Sequence, residues 1–276
     1  MDCSTFDLAV DERVAHLTLK RAAEMNTMNA AFFRELRGAV ESLHRTAPAR
    51  ALVISSTGKH FTAGMALDVF ADGGLVDPKG PAERGAFREL VASLQDAFTA
   101  LERLRMPVIA VLHGGCIGGG VDLACACDIR YASADAFLCV QETNLGIAAD
   151  LGTLQRLPKL IPEGVAREYA YSGRRMSAAR ARELGLVNEV FATREEALAA
   201  ALALAAEIAS KAPTAIWASK QAITHARDHA VGESLDHMAL LQSAMWASDD
   251  LRESIAAMKQ GRAPRFDDLP PIASFG

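Results

Sequence analysis

The chain opens on short β-rich runs and then shifts to helical spacing. Phe6–Val10 and Val14–Leu19 flank the polar triplet Asp11-Glu12-Arg13, which predicts a hairpin. Phe33, Leu36, Val40 and Leu43 then recur at helical intervals, predicting a helix over Ala30–His44 with Asn29 as its N-cap. Ala51–Ser55 reads as a buried strand and runs into the loop Thr57–Gly64. Gly73–Gly80, with Asp77-Pro78 inside it, has the most flexible composition. A long helix is predicted from about Ala82 to Arg105, stopped by Pro107. Val108–Leu112 is the next strand, and a glycine run leads from it into a helix beginning near Gly120. Ile129–Ala132 and Phe137–Val140 are further short strands.

Strands alternating with helices imply an α/β arrangement. After Val190 the pattern becomes helical only. Thr193-Arg-Glu-Glu196 fits a capping box, followed by helices over Ala197–Ser210, Pro213–Arg227, Gly232–Ala247 and Asp249–Gln260. The expected organisation is a core over residues 1–195 and a helical region over 196–276, with no internal repeat.

Composition narrows the class. Of 276 residues, 50% are hydrophobic and 23% charged, in the range of a soluble globular protein. The net charge of −5 opposes a general nucleic-acid footprint. The first residues lack the basic and apolar runs of a signal peptide, and the apolar stretch nearest to a membrane span, Ala197–Ala206, is short and alanine-rich. The last residues are no peroxisomal address, so a cytoplasmic location is the expectation. Five cysteines (Cys3, Cys116, Cys125, Cys127 and Cys139) without a Cys-x-x-Cys read as small buried thiols, not as disulfides or a metal site.

The candidate chemistry lies in three acidic residues at glycine-framed junctions. Asp122 closes the run His113-Gly-Gly-Cys-Ile-Gly-Gly-Gly-Val-Asp122, while Glu142 and Asp150 bracket the apolar loop between them. Carboxylates are uncommon in such surroundings unless paired or working. Two within one short loop could take a proton at one carbon and return it at another. The glycines of Ile117–Asp122, at a strand-to-helix junction, let a ligand approach the backbone and leave helix N-terminal N–H groups free, which is half an oxyanion hole. A second glycine turn, Phe61-Thr-Ala-Gly64-Met65, could supply the other half.

Other readings fit less well. Gly114-x-x-x-Gly118-x-Gly120 has dehydrogenase spacing, but it lies more than a hundred residues into the chain, and no tyrosine is followed by lysine four residues later. His225 and His229 share a helix face without the glutamate of a zinc motif. His60 and His113 border the glycine loops and could line a pocket, although a structural role suits them better. There is no Gly-x-Ser-x-Gly elbow and no phosphate-binding Gly-Lys-Ser/Thr loop.

Together these landmarks resemble the crotonase (enoyl-CoA hydratase/isomerase) superfamily. The resemblance is carried by Met25-Asn-Thr-Met-Asn29, Gly58-Lys-His-Phe-Thr-Ala-Gly64, Pro107-Val-Ile-Ala-Val-Leu-His-Gly114, Gly118–Asp128, Gly152-Thr-Leu-Gln-Arg-Leu157 and Gly185-Leu-Val187, in that order. Within the superfamily Leu145–Pro158 is most similar to the Δ3,5-Δ2,4-dienoyl-CoA isomerases. Related hydratases usually carry glycine at the position of Asp150 and glutamate at that of Asp122.

The resemblance implies a spiral β-β-α core with a C-terminal helical region, and trimers paired into hexamers. It implies an acyl-CoA thioester as substrate, with no separate cofactor or metal and no nucleic-acid or membrane partner. By the same resemblance the N–H groups of Met65 and Gly119 would form the oxyanion hole, with Ala63, Gly64 and Gly118 as substrate-binding positions. Glu142 would serve C2 and Asp150 C6 of a 3,5-dienoyl thioester in fatty-acid β-oxidation, or the two roles would be exchanged, with Asp122 beside them. Met65-Ala66-Leu67-Asp68 departs from the family's usual Gly-Ile/Leu-Asp-Leu, which bears on Met65 and Asp68. Met25 replaces a basic residue that often meets the CoA phosphates. The alternatives are an enoyl-CoA hydratase using Asp122 and Glu142 on a water, a Δ3-Δ2 enoyl isomerase, and a crotonase-like binding protein, for example for RNA.

Overall fold

The computed structural model describes residues 3–69 and 80–273; most of the Gly73–Gly80 stretch falls outside them. A main sheet and a smaller one carry the fold. β1 (Phe6–Asp11) and β2 (Val14–Leu19) form the expected antiparallel hairpin, with Phe6 opposite Leu19. From β2 the main sheet continues in parallel through β3 (Ala51–Ser56), β4 (Val108–Leu112), β6 (Ile129–Ser133) and β9 (Glu189–Phe191). The small sheet holds β5 (Gly115–Ile117), β7 (Phe137–Cys139) and β8 (Met176–Ser177), in that order.

β3 and β4 are buried throughout, and their alternate residues face two cores. Leu52, Ile54, Val108, Ala110 and Leu112 point into the larger one. There they join α1 (Ala30–Thr46), α2 (Pro81–Arg103) and α3 (Gly119–Ala126) through Phe33, Leu36, Phe98, Leu101 and Leu123. Asn29 caps α1 by accepting the Phe32 N–H at 3.0 Å. α2 stops at Arg103, short of the expected Arg105, because Leu104 turns to an extended conformation ahead of Pro107.

The opposite face of the sheet, Ala51, Val53, Ile109 and Val111, packs on Ala197, Ala201 and Ala205 of α7 (Arg194–Ala209). Four-residue spacing puts these alanines on one stripe, and their small size lets the helix lie close to the strands. α7 is therefore an outer layer of the core, although it begins at the expected start of the C-terminal helical region. Thr193 caps it from the N-terminus by accepting the Glu196 N–H, and Glu196 in turn accepts the Ala192 N–H, one residue outside the cap.

Three helices escaped the periodicity reading: α4 (Thr153–Leu160), α5 (Glu163–Ser172) and α6 (Ala178–Glu183). They connect β7 to β9. Beyond α7 follow α8 (Pro213–Asp228), α9 (Val231–Met245) and α10 (Asp249–Gln260). Buried Lys220 fastens α8 to the core by donating to the Leu101 and Met106 carbonyls and to Asp128. Buried Arg50 holds the C-terminal segment through the Ala209 and Phe266 carbonyls and Asp268. All five cysteines are free and buried, and burial pushes the thiols of Cys125 and Cys127 up to about 12. Among the described residues, no single helix is long and apolar enough to cross a membrane.

Candidate active site

Two glycine loops meet where β4 gives way to the small sheet. The first, Phe61–Ala66, is clamped by its neighbours: Thr62 pairs with Cys116, and Met28 bridges Met65. In the Met28 bridge, the Met28 N–H donates to the Gly64 carbonyl at 2.8 Å and the Ala66 N–H donates to the Met28 carbonyl at 2.9 Å. In a parallel bridge the flanking groups do the pairing, so the N–H of Met65 itself points away from Met28. The second loop carries Gly118 at φ 53°, ψ −120°, a conformation that side chains resist, and turns directly into α3. Gly119 is the first residue of that helix, where N–H groups have no intrahelical acceptor.

The loops touch backbone to backbone. A β-carbon on Gly64, at φ 83°, would come within 2.5 Å of the Ile117 carbonyl oxygen and 3.2 Å of the Gly119 nitrogen. One on Gly119 would lie 3.9 Å from the Met65 nitrogen. The two N–H groups singled out in the sequence are thus close neighbours across this contact, and no acceptor for either is recorded among the described residues. The Met65-Ala66-Leu67-Asp68 departure leaves the bridge to Met28 in place; Asp68 lies exposed in a short 3-10 turn, Leu67–Val69.

A cavity of about 360 Å³ opens in front of this contact. Ala63, Met65, Gly118, Gly119 and Glu142 line it, together with the apolar Leu145 and Ile147 of the following loop. Gly64 is buried behind the lining. Met25 and Thr27 lie on another side, and Gln141 and Arg175 complete the wall. The Arg175 guanidinium lies 4.3 Å from the Phe137 ring centroid. Sequence reasoning missed Arg175 and Gln141, since only the pairing of β7 with β8 brings Arg175 near Glu142.

The three carboxylates are differently held. Glu142 opens a 3-10 turn, Glu142–Leu145, and its Oε1 would lie 3.0 Å from a β-carbon on Gly118. Its Oε2 is buried without a hydrogen-bond partner. Burial, reinforced by the charges of Asp122 and Asp150, pushes Glu142 up to about 7. Asp122, on the first turn of α3, is 1% exposed. Its Oδ1 accepts the Thr153 N–H at the start of α4 at 2.6 Å. Burial raises Asp122 to about 6 against that hydrogen bond, with Asp150 adding to the rise. Asp150 sits on the exposed side, and partial desolvation raises its pKa. Asp122 and Asp150 are not among the residues lining the cavity, but both charges act on Glu142.

α3 is fixed from its other end by Arg130, which is buried and donates to the Ala124, Cys127 and Leu186 carbonyls. His60 and His113 are structural. The His60 Nδ1 accepts the Gly115 N–H and the His113 ring bonds the Gly58 carbonyl, while burial lowers both pKa values. His225 and His229 stack on each other, away from the site, and His237 stacks on His225. Among the described residues no cluster of His, Cys, Asp and Glu has the geometry to hold a metal ion.

Such a site suits proton transfer next to an oxygen that gains negative charge. Met65 and Gly119, whose N–H groups have no acceptor among the described residues, line the cavity, and a carboxyl poised near neutrality beside them has one free oxygen. Known proteins agree in kind. Residues 9–269 match the family model for enoyl-CoA hydratase/isomerase. The chain is 44% identical over 258 residues to the mitochondrial Δ(3,5)-Δ(2,4)-dienoyl-CoA isomerase of Mus musculus, covering 92% of this chain and 79% of that protein. It is 40% identical over 263 residues to the peroxisomal Δ(3,5)-Δ(2,4)-dienoyl-CoA isomerase of Arabidopsis thaliana, covering 94% of each. Among solved structures, the enoyl-CoA hydratase from Bacillus anthracis superposes with a TM-score of 0.87 at 30% identity, covering 95% of this chain and 99% of that one.

Proposed function

This chain belongs to the enoyl-CoA hydratase/isomerase family and carries its crotonase-like fold, and we propose that it is an isomerase converting 3,5-dienoyl-CoA to 2,4-dienoyl-CoA. Glu142 takes a proton from C2 of the bound thioester. The electron pair moves into a dienolate, whose oxygen is held by the N–H groups of Met65 and Gly119. Asp150 delivers a proton to C6, the double bonds shift into conjugation with the carbonyl, and proton exchange with solvent resets the pair. One proton leaves and one returns, so the reaction balances without a redox cofactor or metal; CoA enters as part of the substrate. The apolar Leu145 and Ile147 suit an acyl chain alongside.

One observation carries this reading: Glu142 lies beside Gly118 with its Oε2 buried and unpartnered, on a carboxyl raised to about 7. A base needs a free oxygen and a pKa near the working pH, and this group has both. The names of the relatives in mouse and Arabidopsis point the same way.

The hydratase reading draws on the name of the Bacillus anthracis structure. It needs Asp122 and Glu142 to share a water, whereas Asp122 is enclosed and its Oδ1 is committed to Thr153. A split assay decides between them. With a 3,5-dienoyl-CoA, the isomerase gives long-wavelength absorbance that Asp150→Asn abolishes. With a trans-2-enoyl-CoA, a hydratase consumes the enoyl absorbance irrespective of Asp150.

The reading extends to assembly as a homotrimer or a pair of trimers. Ile223, Val231, Leu235, Leu240, Trp246 and Met258, on α8–α10 and the turn after α9, are all exposed, apolar side chains that suit contact with a second copy. Light scattering of the purified protein tests it. The cytoplasmic placement is tested by fractionation; the relatives' own names place them in mitochondria and peroxisomes.

A further inference from the structure

The segment from Asp150 to Thr153 is held by side chains of α2, α3 and α4. The Asp150 carbonyl accepts the Gln95 Nε2–H of α2 at 2.6 Å. The next carbonyl, of Leu151, accepts from Arg156 Nη1 at 3.4 Å. Two residues further on, the Thr153 N–H is the group bound by Asp122. Gly152, at φ 128°, lets Arg156 lie directly on the backbone; a β-carbon there would stand 1.8 Å from Nη1.

Arg156 is nearly buried and is itself braced. Its Nη2 donates to Thr99 at 3.0 Å and to Glu102 at 2.9 Å. Glu102 also accepts from Arg227, which pairs with Asp228 at the end of α8. Both arginines hold the Glu102 pKa down against burial, so it stays ionised. The loop's far side faces a polar cavity of about 450 Å³ between Gln95 and Arg227. Ala149 and Leu151, which flank Asp150, are buried in the main core, so these donors act on a segment that the core anchors on either side of the exposed Asp150.

Among the described residues no other residue's hydrogen bond fixes the Asp150 carboxyl, which accepts only its own backbone N–H. Its place is set by its backbone, which the burial of Ala149 and Leu151 anchors and which Gln95 and Arg156 hold at the carbonyls of Asp150 and Leu151. We propose that Gln95 and Arg156 are positioning residues that hold the Asp150 carboxyl at the distal carbon of the substrate, with Glu102 and Arg227 bracing Arg156 from α2 and α8. The inference rests on the reading of Asp150 as the group that returns the second proton.

The test uses the full-length protein and a 3,5-dienoyl-CoA in D₂O. Two quantities are followed: formation of 2,4-dienoyl product, and deuterium wash-in at C2 of recovered substrate. Product needs both Glu142 and Asp150, whereas wash-in needs only Glu142 and the N–H pair. Gln95→Leu changes an exposed side chain and leaves the core alone. A displacement of about 1 Å at a reacting group costs on the order of 100-fold, so Gln95→Leu is expected to lower kcat about 10- to 100-fold. KM should stay within about twofold, because the binding cavity is untouched. C2 wash-in persists, so the ratio of wash-in to product rises by the same factor that kcat falls. Arg156→Lys, which keeps the charge but loses the two-armed contact, should shift that ratio in the same direction.

Wild-type kcat and an unchanged ratio in Gln95→Leu would overturn the positioning role while leaving the isomerase reading intact. A parallel fall in product and wash-in would overturn it too, since that marks general damage. A wild-type protein that washes deuterium into C2 but forms no conjugated product would sink both.

Discussion

The carboxylate of Asp122 receives the backbone N–H of Thr153 at 2.6 Å, tying the first turn of α3 to the first residue of α4. The bond joins the second glycine loop to the segment that carries Asp150. It is made by a nearly enclosed acid whose pKa is raised to about 6, so its charged form is the strained one.

Asp122→Asn keeps an oxygen for Thr153 and removes the charge. The sign follows from the raised pKa: between about 4 and 6 the folded protein holds a proton that the unfolded chain releases, so wild-type stability falls as pH rises through that window. A shift from 3.8 to about 6 corresponds to on the order of 3 kcal/mol. The variant should therefore be more stable than wild type at pH 8, with the advantage vanishing near pH 4. Paired denaturant titrations at the two pH values measure it; equal gains at both would refute the assignment.

Gly64→Ala places a methyl group against the Ile117 carbonyl oxygen at a positive φ. Backbone must move, and the Met65 N–H moves with it relative to Gly119. Losing one such donor costs about 10²–10³ in kcat, and the strain costs about 1–3 kcal/mol in stability. Steady-state kinetics and a melting curve would show both. A variant with unaltered kcat would mean that the two N–H groups do not act as a pair.

Much of the architecture was legible because it is written locally. The hairpin, α1 with its Asn29 cap, β3 and β4 follow from periods of two and 3.6 and from one capping residue. Glycines at strand-to-helix junctions likewise exposed both loops of the site. β5 was read as part of a glycine run, because three residues starting with glycine carry no strand signal, and the small sheet went with it. α4 was hidden as well, since Pro158 lies inside it. Gln95, Arg156 and Arg175 were beyond local reasoning: Gln95 lies 55 residues from Asp150, and nothing near a solvent-facing glutamine on a helix marks its acceptor.

The alanine stripe of α7 makes a separate claim about the core. Ala201 is fully buried and packs in one cluster with Val53 and Ile109, a fit that tolerates no extra volume. Ala201→Leu should cost about 1–3 kcal/mol through overpacking. Leu at exposed Ala199 on the same helix should change stability by less than about 0.5 kcal/mol. Chemical denaturation of the two variants compares them. Equal effects would mean that α7 does not rest on the sheet through this stripe.

The pH dependence of turnover tests the carboxylate cluster as a unit. Glu142 must be ionised to take the C2 proton, and it is raised to about 7 first by burial and then by Asp122 and Asp150. As pH falls through about 7 the base becomes protonated, so kcat should decline, by about tenfold for each further pH unit well below the pKa. Glu142→Gln should remove about 10²–10⁴ of the rate at every pH. Asp122→Asn carries the sharper expectation. Deleting a neighbouring negative charge makes ionisation of Glu142 easier, so the acidic limb should move to lower pH while the plateau changes less. A limb that stays in place would show that Asp122 holds Thr153 and nothing more; a limb that moves to higher pH would contradict the electrostatic coupling itself.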